Sequence, residues 1–280
     1  MLQWFHIYPA KEHMIISSQH NQHIKQIRSL RHRHERERSG LFFIEGIRIV
    51  TEAVQSGAEI EKLVVAPELL KSEFGREIIQ EQRDQGTPCT EVTADVFSSI
   101  STKDGPQGIG AVVRQRWEEL EHVRLTDMQY WVALDAAQDP GNIGTTLRTG
   151  DAAGSTGLIL LGSCADPYDA TALRASMGAI FSQRLVKASF ADFLRWKQQH
   201  NYFVVGTSKA APRDYREVSY QFPLVLLMGS ERLGLSSEQQ ALCDMMVKIP
   251  MVGRSDSLNL AVATGITLYE IFYQAHAGDR

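Results

Sequence analysis

The chain is poor in cysteine: three in 280 residues, Cys89, Cys164 and Cys243, far apart and with no Cys-x-x-Cys pair. That excludes a disulfide framework and a cysteine-built zinc site, and it fits a reducing compartment. No apolar run approaches the ~20 residues a membrane helix needs. The first dozen residues lack the basic start, apolar core and small-residue cleavage site of a secretory leader, so neither membrane nor export is expected. Positive charge is not in excess either. The net charge is −4, so a uniformly basic nucleic-acid binder is excluded and any such affinity must come from a local patch. Internal repeats and low-complexity tracts are missing. So is a Gly-x-Gly-x-x-Gly turn with an acid about 20 residues on, which excludes a nicotinamide or flavin dinucleotide site. What is present is an ordinary globular composition, 43% apolar and 22% charged, in a length that suits one large or two modest domains.

Met14 makes a more usual beginning than Met1, so residues 1–19 are read as an irregular extension. His20 to Arg38 then holds six Lys or Arg, four His and only two Glu, with Ile24, Ile27 and Leu30 at helical spacing. This predicts an amphipathic helix running into a basic loop that ends at Gly40. Its net +4, in a chain of net −4, marks Arg28, Arg31, Arg33, Arg36 and Arg38 as candidate RNA-backbone contacts rather than a merely solvated face. Strands are expected at 41–46, 60–66, 89–92 and 108–114, with helices at 47–56, 68–85 and 94–101 between them. That β-α-β-α alternation predicts a three-layer α/β domain over 20–116. Residues 117–128 carry four acidic residues and no trustworthy apolar period, and read as an interdomain linker.

From 129 onward the pattern is again strand, loop, helix. Strands are expected at 129–135, 157–161, 184–186, 202–206, 223–228 and 246–249, and helices through 154, over 173–181, 190–200 and 258–273. Pro223 to Met228 is an unbroken apolar run, as in a parallel strand buried on both faces. The prediction is a parallel-sheet α/β domain over 129–280. Three of its strands end in loops rich in Gly, Pro and small polar residues, and the carboxyl ends of such strands are where open α/β sheets bind ligands. Ser257 stands where an N-cap would, ahead of a last helix that is apolar on more than one side, so a second subunit is expected to cover it.

The three loops read Asp139-Pro-Gly-Asn142-Ile-Gly-x-x-x-Arg148, Gly229-Ser-Glu231-x-x-Gly234-Leu and Ile249-Pro-Met-x-Gly253-x-x-x-Ser257-Leu-Asn259. In this order they resemble the motifs of the SpoU (TrmH) family of RNA ribose 2′-O-methyltransferases, and the resemblance runs from Trp131 to the C-terminus. Phe43-Ile-Glu45-Gly46 and Gln107-Gly108 are similar to the ribosomal-protein-like substrate-binding domain of its ribosomal-RNA members. Glu45 could equally cap the helix that follows it. Lys103-Asp-Gly-Pro-Gln-Gly reads as a turn, whose amides could also meet a phosphate.

The resemblance implies a C-terminal trefoil knot, a cytoplasmic homodimer, S-adenosylmethionine as cofactor, and RNA, ribosomal more than transfer, as substrate. It implies cofactor contacts at Gly229, Ile249 and Leu258, and a catalytic set of Asn142, Arg148, Glu231, Ser257 and Asn259, with no metal. Arg148 matches the arginine assigned as base in the family. Guanidinium groups stay protonated near neutral pH, so holding a phosphate or easing alkoxide formation is the cheaper role. Capping alone would explain Ser257 and Asn259. Asp256 stands where the family often has Glu, and Ala261 where it often has Ser, which bears on substrate detail. A transfer-RNA enzyme, and a non-catalytic ribosome-assembly protein on the same fold, are the alternatives.

Overall fold

The computed structural model describes residues 15–277, so most of the extension expected at 1–19 lies outside the described residues. The end of that stretch joins the fold, since Ile16 makes a parallel bridge to Val92. The N-terminal helices are α1 (Gln22–Ser29), α2 (Arg33–Ser39), α3 (Ile47–Gln55), α4 (Glu73–Asp84) and α5 (Ala94–Ile100). The strands are β1 (Leu41–Glu45), β2 (Ile60–Val65), β3 (Cys89–Glu91) and β4 (Ile109–Arg114), ordered β1-β4-β2-β3. Strand β4 runs antiparallel to both neighbours, and β2 and β3 are parallel. Side chains alternate across a strand, and here both faces are apolar. Val64 and Val112 pack with Ile24 and Ile27 of α1 and Phe97 of α5, while Leu63 and Val65 pack with Val50 of α3 and Ile79 of α4. The result is the expected three layers.

Two local expectations need correction. The helix expected from 68 begins at Glu73, because the Ser72 side chain accepts the Gly75 amide and caps it there. The basic stretch is two short helices rather than one helix and a loop. Its five arginines are mostly engaged with protein. Arg36 is only 3% exposed; its Nε donates to Asp166 Oδ2 at 2.7 Å, and its Nη1 to the carbonyls of Leu30 and Arg31 at 2.9 Å. It is therefore not a phosphate contact but a buried tie between the two halves of the chain. Arg31 donates to the Ser99 and Ser101 carbonyls, Arg33 to the Cys164 carbonyl, Arg28 to Ser99 Oγ and Arg38 to Glu35. The charge-rich sequence hides the partners at Ser99, Ser101, Cys164 and Asp166, which lie far from it along the chain.

The second sheet has seven strands, β5 (Tyr130–Asp135), β6 (Gly157–Leu161), β7 (Arg184–Ala188), β8 (Phe203–Thr207), β9 (Arg213–Asp214), β10 (Leu224–Met228) and β11 (Met245–Lys248). Their order is β7-β6-β5-β10-β8-β11-β9, and every pairing is parallel. Helices α6 (Pro140–Ala152), α7 (Ala170–Ser176) and α10 (Leu260–Ala275) cover one face through Ile143, Leu147, Leu173, Leu268 and Ile271. Helix α8 (Phe190–His200) covers the other through Phe193 and Trp196, and α9 (Ser237–Leu242) leads into β11. The residues read as a linker are not free chain. Leu120, Val123 and Leu125 are buried in that second face, and Glu118 holds Arg184 at 2.6 Å. Their spacing follows no helix or strand period, which is why the sequence hides them.

The helix expected over 173–181 ends at Ser176, where Met177 takes a left-handed backbone at φ 53°. The strand β9 was not expected; it is two residues long and pairs only with the end of β11. The two sheets share one core. Phe42 of β1 lies 4.6 Å, ring to ring, from Tyr168, and belongs to the same apolar cluster as Val132 and Leu134.

Candidate active site

Strands β5, β10, β8 and β11 are neighbours, so the loops that leave β5, β10 and β11 converge at one edge of the sheet. The first loop ends in the N-cap of α6, where Asp139 Oδ1 accepts the Gly141 amide at 2.7 Å and Pro140 opens the helix. The second folds back on itself through the Gly234 amide on the Ser230 carbonyl at 2.9 Å. Gly229 sits so close to that return that an added Cβ would stand 2.1 Å from the Gly234 carbonyl carbon. Only glycine fits there. The third loop reaches α10, whose N-cap is Asn259 and not Ser257: Asn259 Oδ1 accepts the amides of Ala261 and Val262 at 2.9 and 3.2 Å. Ser257 is exposed, and the one hydrogen bond it makes among the described residues is to Asp256 at 3.5 Å.

A chain of hydrogen bonds ties the three loops together. Asn259 Nδ2 donates to Asn142 Oδ1 at 2.8 Å, and Asn142 Nδ2 donates to Glu231 Oε1 at 3.2 Å. The Gln138 and Asp139 amides add weaker bonds to the same carboxylate, at 3.3 and 3.5 Å. Partial burial by itself would raise the Glu231 pKa. The amides of Glu231, Gln138 and Asp139 and the Asn142 carboxamide outweigh that and hold it below the ordinary glutamate value.

Beside this chain lies a cavity of about 340 Å³, lined by the loop 228–235, Ile249, Met251, Ser257, Leu258 and Leu260, with Thr207 and Lys209 from the end of β8. Gly229, Ile249, Leu258, Glu231 and Ser257 are thus brought together around one cavity. Asn142 and Asn259 stand behind Glu231. Arg148 is not among the lining residues. It is six residues beyond Asn142 on α6, about 9 Å along the axis and on another face of the helix. It lines a second cavity with Arg48, Glu52 and Met177. Sequence reasoning missed Lys209, Met251 and Gln138; the last bridges the Ala136 and Ser163 carbonyls and pins the first loop. Met251 lies inside the third motif and Gln138 directly before the first, while Lys209 has no motif near it in the sequence.

Thiolate chemistry is disfavoured. Burial raises all three cysteine pKa values, Cys243 to about 12, so no thiolate forms near neutral pH. Among the described residues, no group of three or more His, Cys, Asp or Glu could hold a metal, and no helix is long and apolar enough to cross a membrane.

The profile of the SpoU rRNA methylase family matches residues 129–269, half of the chain and all three loops. The chain belongs to the SpoU rRNA methylase family. The profile of the MRM3-like substrate-binding domain matches residues 21–111, so the N-terminal unit belongs with those domains. The chain is similar to a 23S rRNA (uridine(2479)-2′-O)-methyltransferase of Streptomyces viridochromogenes, 32% identical over 256 residues that cover 89% of this chain and 88% of that one. A 23S rRNA (guanosine(2553)-2′-O)-methyltransferase of Bacillus subtilis is 29% identical, covering 91% and 98%. Among solved structures, the AdoMet-bound rRNA methyltransferase from Sinorhizobium meliloti superposes with a TM-score of 0.85 at 36% identity, over 95% of this chain and 98% of that one.

Proposed function

We propose that the chain is an S-adenosylmethionine-dependent methyltransferase acting on a ribose 2′-hydroxyl of ribosomal RNA. The observation that carries this reading is the Glu231–Asn142–Asn259 chain, which binds all three family loops around one cavity. The cavity suits the cofactor. Ile249, Leu258 and Leu260 offer an apolar wall for a flat base, and Lys209, Glu231, Arg232 and Asp256 give a charged rim with no net sign. S-adenosylmethionine bound there supplies a methyl group on a sulfonium, open to in-line attack.

The chain's own residues do the positioning, which can supply about 7–11 kcal/mol of such a barrier. Glu231 is an ionised carboxylate that fixes the loop amides and the Asn142 carboxamide. Asn259 sets that carboxamide from the other side. Ser257, exposed at the cavity mouth, is placed to meet the ribose. Arg148 stands outside the cavity and makes no hydrogen bond or ion pair among the described residues, so it is read as the group that holds a substrate phosphate. A general base would have to reach the hydroxyl within hydrogen-bonding distance of the bound methyl donor. Arg31, Arg33 and Arg38, exposed though engaged with protein oxygens, add weaker backbone contacts.

The working protein is read as a cytoplasmic homodimer whose C-terminal segment makes a trefoil knot. Val262, Ile266, Tyr269 and Tyr273 recur at i, i+4, i+7 and i+11 on α10, and three of them are about half exposed, which supports a second copy packing there. The test is transfer of labelled methyl from S-adenosylmethionine to ribosomal RNA, followed by alkaline hydrolysis. A 2′-O-methyl group leaves an alkali-resistant dinucleotide. Label on a base, on transfer RNA only, or nowhere would overturn the proposal.

A further inference from the structure

A cavity larger than the one beside the motif loops lies elsewhere in the described residues. It holds about 630 Å³ and opens between the two domains, with Phe43, Ile49 and Lys103 on one wall and Leu173, Arg174 and Met177 on the other. Its floor is apolar and its rim basic. Five cationic residues line it (Arg31, Arg36, Arg48, Lys103 and Arg174) against two acidic ones, Glu45 and Asp169. The acids are committed. Glu45 accepts from Ser101, and twice from Thr102, at 2.5–2.8 Å, and Asp169 lies 3.6 Å from Arg36. Arg48 and Arg174 are exposed. Arg48 has no hydrogen bond or ion pair among the described residues, and Arg174 makes only a long bond to Thr171, at 3.4 Å. Arg31, Arg36 and Lys103 donate to protein oxygens, Lys103 Nζ to the Glu45 carbonyl at 2.9 Å, so among the described residues Arg48 and Arg174 are the two free guanidinium groups at this apolar hollow.

That hollow leads to α6. Arg48 and Met177 line both this cavity and the adjoining one that holds Arg148. Single-stranded nucleic acid is bound where cations track the backbone and an apolar surface takes unstacked bases. We propose that the interdomain groove receives a single-stranded stretch of the RNA substrate. Its phosphates lie on Arg48, Arg174 and Lys103, and an unstacked base rests against Phe43, Ile49 and Met177. The groove would feed the strand towards Arg148. The substrate class rests on the methyltransferase reading; the groove itself does not.

The experiment uses the full chain and a fluorescein-labelled 12-nucleotide single-stranded RNA, titrated at several salt concentrations beside the same sequence as a duplex. The Arg48→Ala/Arg174→Ala variant should bind at least ten times more weakly. Its log–log salt slope should fall by about 1.4, at ~0.7 for each lost single-strand phosphate contact. Met177→Gly suits the left-handed backbone, so the fold is kept, and it should erode the preference for single strand over duplex. Unchanged affinity and slope in the arginine variant would overturn the proposal, and an acidic protein partner would then be the better occupant. S-adenosylmethionine binding and methyl transfer, measured on the same samples, separate the two readings. Groove-dependent RNA binding without methyl transfer sinks only the enzyme proposal, and methyl transfer with an indifferent groove sinks only this one.

Discussion

Asn259 caps the last helix and, with its other amide atom, donates to Asn142 Oδ1 at 2.8 Å, across 117 residues of sequence. One side chain therefore does two separable jobs. Asn259→Ala should lose both, lowering stability by about 1 kcal/mol for the cap and reducing methyl transfer. Asn259→Ser keeps a capping oxygen but is too short to reach Asn142. Its denaturation midpoint should stay near that of the parent while methyl transfer still falls. Equal losses of stability in the two variants would mean that the cap contributes nothing, and full methyl transfer in Asn259→Ser would mean that the Asn142 contact does not matter.

Glu231 gives a pH signature. Its folded pKa lies below the ordinary glutamate value, so its contribution is complete above the unfolded pKa and is lost as pH falls through the folded one. Cofactor affinity should hold from neutral pH down to the ordinary glutamate range, near 4.5, and drop below it. In Glu231→Gln the amide cannot accept from three donors at once, so affinity should be weaker at neutral pH and flatter on acidification. Isothermal titration across that window, at constant ionic strength, checks both.

Gly229→Ala should spoil the cofactor pocket without unfolding the sheet. An added Cβ would stand 2.1 Å from backbone carbon, so the return of the loop at Gly234 must open. Affinity for S-adenosylmethionine should fall by more than tenfold, while the thermal midpoint moves less because residues 231–234, which give way, are exposed. Retained affinity would show that the loop gives way cheaply.

Arg36→Ala tests the tie between the halves of the chain. It leaves the Asp166 carboxylate buried with its charge partner gone, and breaking a buried pair from one side costs about 3–5 kcal/mol. Arg38→Ala removes an exposed, solvent-screened i,i+3 pair and should leave stability nearly unchanged. Urea denaturation of the two variants should differ accordingly.

The loops that build the site were legible because each announces itself locally: an apolar strand, then Gly, Pro and a small polar residue at the turn. Asn142, Glu231 and Asn259 lie on those loops, and the fold joins them by hydrogen bonds. The role of Arg36 was not legible, since Asp166 lies 130 residues away and nothing near Arg36 marks it as buried. The same holds for Leu120, Val123 and Leu125, which plug a sheet face from an irregular segment. Ser257 was misplaced as a cap because Ser and Asn are equally good caps two residues apart, and only the amide geometry decides.

The last prediction concerns α10. The inward face of this helix carries Leu260, Leu268 and Ile271, while Val262, Ile266, Tyr269 and Tyr273 form a second apolar stripe on its outer side, where Val262 and both tyrosines are about half exposed. Gly265, beside that stripe, backs onto α6 so closely that an added Cβ would lie 3.2 Å from the Thr149 methyl group. Thr149 is next to Arg148, so a partner seated on the stripe would also border the arginine proposed to hold the RNA. Ile266→Glu should place a charge in the middle of that contact and shift sedimentation from dimer to monomer. If the dimer completes the site, methyl transfer should fall with it, and more steeply at low protein concentration. A variant that remains dimeric, or a monomer with full activity at every concentration, would remove the stripe from the account of function.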